Sequence, residues 1–401
     1  MALYFSLFLL SGLFALLFTP AVRRLGHGLA AYGQAGETRP TPRIPRLGGL
    51  AILLAVLGTC GALLLTLSDS ALNWPRLARI LLPGVLVLAL GVYDDLVGAT
   101  PAQKLAVEAL ASCGLWMAGV RLTFLPLLGF ALKSEVLSFF LTVLWTVTVM
   151  NGMNLVDGLD GLAAGLGSIV CLTLFLLSLI ERNTPVCFAA IVLAGALVGF
   201  LRFNFGPATI YLGDTGSLFV GFVLAALATL ASEGPASLAK NTLPFVAFAP
   251  PIFEVTVTLA RRLLGRRPLF VPDRDHVHHR LRRRVRGPHS AVLTIYALAS
   301  LCWLGSLLVL LLTHSRTTVL VVLSIGLGWW LRYLQYDEFQ QLPARLLRQL
   351  GALLQPRSAS PCSPYLSSFN TDTAKVLGAL CVRAFTGTEN TEQAAETKEE
   401  K

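Results

Sequence analysis

Long runs of apolar residues, each closed by a short polar interval, repeat along most of the chain. With a window of about 19 residues, stretches of spanning length fall near 1 to 19, 47 to 68, 78 to 93, 104 to 120, 136 to 150, 161 to 180, 186 to 201, 216 to 232, 242 to 260, 290 to 313 and 317 to 333. A helix needs about 20 apolar residues to cross the hydrocarbon core. The pattern therefore predicts about eleven transmembrane helices, the fourth and fifth being among the shorter. A transmembrane barrel would instead show alternating segments of about ten residues, and none is present. The expected fold is an all-α, polytopic integral membrane protein.

Composition agrees. Of 401 residues, 55% are hydrophobic and 13% charged, and the mean hydropathy is +0.69, which a domain with a fully wetted surface does not sustain. No basic residue precedes the first apolar run, and Arg23 and Arg24 follow it, so it reads as a helix entering from outside rather than a cleavable signal. Basic residues near helix ends favour the cytoplasmic side. The first loop carries Arg23, Arg24, Arg39, Arg43 and Arg46, and the segment 261 to 289 carries ten arginines, whereas the alternate loops hold one or two basic residues each. The two basic loops fall on one side if eleven spans are counted. This places the N-terminus outside and the C-terminus in the cytoplasm of a bacterial inner membrane. Residues 1–350 are expected to form a single multi-span catalytic domain. From about Gln355 the chain turns rich in Ser, Thr, Pro and Glu, and 351–401 is expected to be a polar, disordered cytoplasmic tail. The seven cysteines show neither a CxxC pair nor a disulfide framework, and no internal repeat suggests the inverted halves of a transporter.

The polar intervals are not ordinary turns. "MNGMNLVDGLDGLAAG", Met150 to Gly165, places two asparagines, two aspartates and four glycines between apolar runs. "GVYDDLVGATPAQK" brings Asp94, Asp95 and Lys104, "FNFGPATIYLGDTGS" brings Asp214, and "RRPLFVPDRDHVHHR" brings three histidines among arginines. On the eleven-span count all of these, with "RPTPRIPRLGG" of the first loop, emerge on the cytoplasmic face. Carboxylates at membrane depth are costly and by default functional. Several acidic oxygens with Asn carbonyls suit a hard divalent cation such as Mg²⁺. Arginines, Lys104 and the histidines suit phosphate oxygens. A site with both sets handles a phosphate ester through a metal, the pattern of phosphoryl transfer.

"DD" after an apolar helix, "NxxNxxDGxDGL", "GDTGS" and "PDRDHVHHR", in this order and spacing, resemble the polyprenyl-phosphate N-acetylhexosamine-1-phosphate transferases (glycosyltransferase family 4) from about Leu47 to Arg280. The resemblance implies a membrane enzyme that moves a sugar 1-phosphate from a UDP-N-acetylhexosamine to a polyprenyl phosphate lipid, releases UMP and requires Mg²⁺, with Mn²⁺ as an alternative. The spacing of the last motif resembles the undecaprenyl-phosphate GlcNAc-1-phosphate branch; the phospho-MurNAc-pentapeptide transferases usually carry adjacent histidines and are the alternative. Members often have a His shortly before "PRLGG", where this chain has Pro40 and Thr41; that role is absent or falls to Arg39 or Arg43. No nucleic-acid partner is expected, and a homodimer is left open.

By this resemblance Asp94, Asp95 and Asp214 are the catalytic candidates. Asp214 and Asn154 are the metal candidates, with Asp157 supporting them. Lys104, Asp160, Arg274, His276, His278, His279, Arg280, Gly48 and Gly49 are the substrate-binding candidates. The blander readings are a simple N-cap for Asp214, an Asx-rich turn for Asn154 to Asp160, and a helix cap for Asp94 and Asp95, although acids at a helix C-terminus oppose its dipole. The histidine spacing also suits zinc, but no fourth ligand lies nearby. Glu254, inside the ninth stretch, either pairs with Arg261 or Arg262 or has a role of its own. An ion-coupled transporter would place its acids near mid-span, whereas nearly all of these crowd one face.

Overall fold

The computed structural model describes residues 1–30, 44–66, 74–124, 131–233, 243–264, 276–285 and 287–313, with positions 318, 321 and 324–326. All belong to one compact unit, Met1–Gln340, and the expected tail lies outside the described residues. The helices are α1 (Ala2–Ala30), α2 (Gly48–Thr66), α3 (Trp74–Leu96), α4 (Pro101–Met117), α5 (Glu135–Val156), α6 (Leu162–Ile180), α7 (Thr184–Asn204), α8 (Gly213–Ala231), α9 (Leu243–Val246), α10 (Ala249–Leu264), α11 (Val277–Arg284) and α12 (Pro288–Thr313). Among the described residues there is no strand, only an isolated bridge between Phe124 and Ala131. In lipid a backbone must satisfy its polar groups within the segment, which leaves the helix as the open choice for apolar runs of this length.

Among the described residues seven helices, α1, α2, α5, α6, α7, α8 and α12, are long and apolar enough to cross a membrane. The expected count of about eleven is not established. α4 and α10 reach only 17 and 16 residues, and α3 carries arginines near one end and two aspartates at the other. The ninth stretch is broken between α9 and α10, because Pro250 and Pro251 cannot donate the amides that would continue α9. The eleventh, 317 to 333, lies largely outside the described residues.

α8 is the axis. Every one of its residues except Asp214 is buried, as expected of a helix that is apolar all round. It packs against α3, α5, α2 and α6, and close approach is bought with glycine: a Cβ at Gly91 of α3 would lie 2.4 Å from the Thr215 Cα, and one at Gly221 would lie 2.8 Å from the Met150 Cα of α5. α1 and α7 cross in the same way. Gly195 and Gly199 form a small-xxx-small pair whose backbone meets that of Phe8 and Gly12, and the Ser11 hydroxyl donates to the Val192 carbonyl at 2.7 Å. Several other buried hydroxyls are satisfied four residues back along their own helices, such as Thr59 on Ala55 and Thr229 on Ala225.

A smaller apolar cluster matters for the site. Val156, Leu159, Leu162 and Leu166 pack with Leu281 of α11 and Ala291, Val292 and Ile295 of α12. Tyr296 adds a hydroxyl that donates to the Gly161 carbonyl at 2.5 Å. The loop after α5 is thereby clamped under α11 and α12.

Candidate active site

α3 ends where Gly98, at φ +91, turns the chain out of the helix, with its amide donating to the Asp94 carbonyl at 2.9 Å. α4 begins three residues later under a capping box of Thr100 and Gln103, with Pro101 in its first turn. This tight connection brings Lys104 back onto Asp94. The Lys104 ammonium lies 2.6 Å from Asp94 Oδ2 and 2.5 Å from Asp214 Oδ2, so two carboxylates from α3 and α8 share one cation. Asp94 Oδ1 also accepts from the Ala99 amide at 2.7 Å.

Asp95 faces another way. Its carboxylate accepts from the amides of Asp214 (3.1 Å) and Thr215 (2.9 Å) and from the Thr215 hydroxyl (2.6 Å). It caps the N-terminus of α8 from a different helix, where the helix dipole favours negative charge. The dipole mismatch that made an acidic pair at the end of α3 look purposeful is thus offset twice, by Lys104 for Asp94 and by α8 for Asp95. Asp214 itself does not serve as its own helix's cap.

The loop between α5 and α6 approaches the same place. Asn154 donates to the Ser217 hydroxyl on α8 at 3.0 Å. Asp157 ends α5 and lies within electrostatic reach of Asp214, Asp95 and Arg46; removal from water, added to by those two acids, pushes its carboxyl well above the usual range. Asp160 looks toward the α7–α8 connection, where its Oδ2 accepts from the Ala208 amide at 2.9 Å.

The histidines meet this loop from the other side. His276 precedes α11, with its Nδ1 3.0 Å from Glu254 Oε1, and that oxygen also accepts from the Val277 amide at 3.0 Å. Glu254 of α10, left open above, thus seats the start of α11. His278 is 2% exposed, with neither ring nitrogen hydrogen-bonded among the described residues. Its Nε2 fits against Gly158, where a Cβ would stand within 2.1 Å. Burial, reinforced by His279 and His276, lowers its pKa to about 3, so the ring is neutral at ordinary pH. The His278 and His279 ring centroids are 4.3 Å apart. Arg280 lies on α11; Arg274 lies outside the described residues.

Gly48 and Gly49, expected among the substrate-binding residues, are placed as foundations. Their amides donate to the Tyr211 and Leu212 carbonyls at 3.1 and 3.3 Å. A Cβ on Gly49 would stand 2.3 Å from the Thr215 carbonyl oxygen, so the pair lets α2 press against the start of α8.

Two residues escaped the sequence reading. Glu108, one turn beyond Lys104 on α4, is 1% exposed and accepts from the Asn151 amide of α5 at 2.6 Å. The signal was there: an acid four residues after a lysine, inside an apolar run. Asn151 lies in the same polar stretch as Asn154 and Asp157.

Among the described residues no group of three or more His, Cys, Asp or Glu side chains is arranged to hold a metal ion. What the arrangement offers is one fixed ammonium, carboxylates with hard oxygens around it, and an adjacent neutral imidazole with both nitrogens open.

The model of glycosyl transferase family 4 matches residues 77–232, the span from α3 to the end of α8. The chain is similar to the probable undecaprenyl-phosphate N-acetylglucosaminyl 1-phosphate transferase of Bacillus subtilis (strain 168), at 32% identity over 292 residues, 72% of this chain and 80% of that one. It is similar to the decaprenyl-phosphate N-acetylglucosaminephosphotransferase of Mycobacterium tuberculosis (strain ATCC 25618 / H37Rv), at 33% identity over 304 residues, 69% and 74% of the two chains. The phospho-N-acetylmuramoyl-pentapeptide-transferase of Caldicellulosiruptor bescii is 30% identical over 202 residues, 47% of this chain and 61% of that one.

Proposed function

The chain belongs to glycosyl transferase family 4, and from that premise we propose that it transfers an N-acetylhexosamine 1-phosphate, GlcNAc 1-phosphate foremost, from a UDP-sugar to a polyprenyl phosphate. The observation that supports this most is the meeting of separate motifs at one end of the bundle. Asp94, Lys104 and Asp214 are in direct contact, Asn154 reaches α8, and His278 rests on the loop between Asp157 and Asp160. The relatives' names carry both halves of the reaction, a polyprenyl phosphate and an N-acetylglucosaminyl 1-phosphate.

In this reading an oxygen of the lipid phosphate forms a bond to the β-phosphorus of the UDP-sugar. The bond from that phosphorus to the oxygen bridging the α-phosphate breaks, and UMP leaves with that oxygen. The lipid phosphate's second pKa is about 6, so little deprotonation is needed. Asp94 orients the acceptor, and Lys104 offers its charge to the phosphates. Asp160, with His276, His278, His279, Arg274 and Arg280, faces the donor. A neutral His278 suits a single hydrogen bond to a sugar or phosphate oxygen.

Mg²⁺, or Mn²⁺ in its place, fits the donor set. Asp94 and Asp214 already stand around one cation, the Lys104 ammonium, and Mg²⁺ needs only one or two carboxylates with substrate phosphates. Asp214 and Asn154 would hold the ion, with Asp157 beside them. When bound it neutralises charge on the phosphates in transfer. The arginine-rich loops support a site on the cytoplasmic face of a bacterial inner membrane, with the N-terminus outside.

The test is UMP release by purified protein in detergent with Mg²⁺, undecaprenyl phosphate and, in parallel, UDP-GlcNAc, UDP-GalNAc and UDP-MurNAc-pentapeptide. Turnover with an N-acetylhexosamine donor, dependent on lipid phosphate and lost in Asp214→Ala, is the expected result. Turnover with the pentapeptide donor alone would move the protein to the other branch. No UMP from any donor, with the protein shown to be folded, would overturn the proposal.

A further inference from the structure

Glu108 is buried, carries charge chemistry, and has no part in the reaction drawn above. Its Oε2 accepts from Asn151 Nδ2 at 2.6 Å, but its Oε1 is buried without a hydrogen-bond partner among the described residues. A buried acceptor left open is costly, so a second arrangement that fills it would recover that cost. The donor within reach is Lys104. Residues four apart on a helix are neighbours on one face, Glu108 lies within electrostatic reach of Lys104 and Asp214, and a lysine ammonium sits on a flexible four-carbon stem that can pivot while the helix stays still.

There is also a reason for Lys104 to move. Its ammonium stands 2.5 Å from Asp214, the carboxylate that would hold the divalent cation, and 2.6 Å from Asp94. Two positive centres cannot share Asp214 without strong repulsion. Displaced from both carboxylates, a half-buried ammonium would lose its ion pairs without regaining full hydration. A second carboxylate one turn along the same helix resolves both problems.

We infer that Glu108 is a positioning residue for Lys104: its Oε1 receives the Lys104 ammonium when Asp214 turns to a divalent cation, and so lowers the cost of loading the site. The inference rests on the metal reading proposed above. Asn151 has a part in it, because it holds Oε2 while Oε1 stays without a hydrogen-bond partner among the described residues.

The experiment uses full-length wild-type protein and Glu108→Gln, which preserves size and the bond to Asn151 while removing the charge. Two quantities are read: the Mg²⁺ concentration for half-maximal UMP release, and the labelling of Lys104 by an amine-reactive reagent with and without Mg²⁺, located by mass spectrometry, in the absence of substrates. In Glu108→Gln the half-activating Mg²⁺ concentration is expected to rise about tenfold, equivalent to about 1.4 kcal/mol, with kcat at saturating Mg²⁺ within about twofold of wild type. Lys104 labelling is expected to stay low in wild type in both conditions and to rise several-fold with Mg²⁺ in the variant only. A residue that merely packs α4 against α5 would move neither. Equal half-activating concentrations and equal labelling responses would overturn the inference while leaving the metal reading intact. A wild-type enzyme indifferent to divalent cations would remove the metal reading, and this inference with it. Should Glu108→Gln not fold, Glu108→Asp, which keeps the charge but withdraws it by one methylene, is read by the same measurements with the same overturning result.

Discussion

Helices α4 and α8 both start beside the candidate site, and they are started in opposite ways. α4 is capped by its own neighbours: Thr100 accepts from the Gln103 amide while the Gln103 side chain accepts from the Thr100 amide. α8 is capped by Asp95, 119 and 120 residues away on α3, through the Asp214 and Thr215 amides. The local cap makes α4 begin where it does whatever surrounds it. The distant cap makes the start of α8, and with it the placement of Asp214, conditional on α3 having packed. A helix terminus that depends on a second helix couples the geometry of the site to the assembly of the bundle.

The comparison can be tested by removing each part in turn. The largest effect is expected from Asp214→Ala, which takes a carboxylate from the site but no cap from α8: UMP release should fall by at least about 100-fold, with the thermal midpoint in detergent little changed. Asp95→Ala should show the reverse emphasis. It strands two amides and a hydroxyl in a buried setting, for a loss of about 2–3 kcal/mol in stability, read as a lowered unfolding midpoint, and activity should fall with it because Asp214 loses its mooring. Gly49→Ala should cost about 1–3 kcal/mol in the same measurement, since the new methyl meets the Thr215 backbone, 2.3 Å from its carbonyl oxygen, and α8 must shift. Thr100→Ala should cost about 1 kcal/mol and leave UMP release near wild type. Loss of activity in Thr100→Ala equal to that in Asp95→Ala would break the distinction between the two caps.

A separate effect concerns pH. The folded-state pKa of His278, about 3, lies below its unfolded value of about 6.5. Below pH 6.5 the unfolded chain therefore takes up a proton that the folded one refuses, and stability is lost progressively down to about pH 3. The thermal midpoint of His278→Gln should accordingly fall less than that of wild type between pH 7 and pH 5. Identical slopes would mean that the ring is not held neutral against Gly158.

Much of the fold was legible in the chain because lipid leaves few choices. Runs near 161 to 180, 186 to 201 and 216 to 232 became α6, α7 and α8 almost residue for residue, since an apolar run of that length can satisfy its backbone only as a helix. The count was less legible. Stretches such as 104 to 120 and 242 to 260 owe their helices to packing as much as to apolar length, and carry Lys104, Glu108 and Glu254 inward. The candidate residues were readable one by one as acids, amides and histidines in furnished loops, but the division of labour among them was not. Nothing in "DD" says that Asp94 pairs with Lys104 while Asp95 caps α8, because adjacent side chains on a helix point apart and the α8 partners of Asp95 lie more than a hundred residues away.

The sequence by itself determined that this is a helical membrane protein with polar, phosphate-suited loops, because hydrophobic length and residue chemistry are local properties. Only the tertiary structure decided which carboxylate shares the ammonium, which one holds a helix, that Gly48 and Gly49 support the site from beneath, and that Glu108 waits with an open oxygen. Those outcomes depend on distances between helices, and such distances arise only when glycine-lined faces press α2, α3 and α5 against α8.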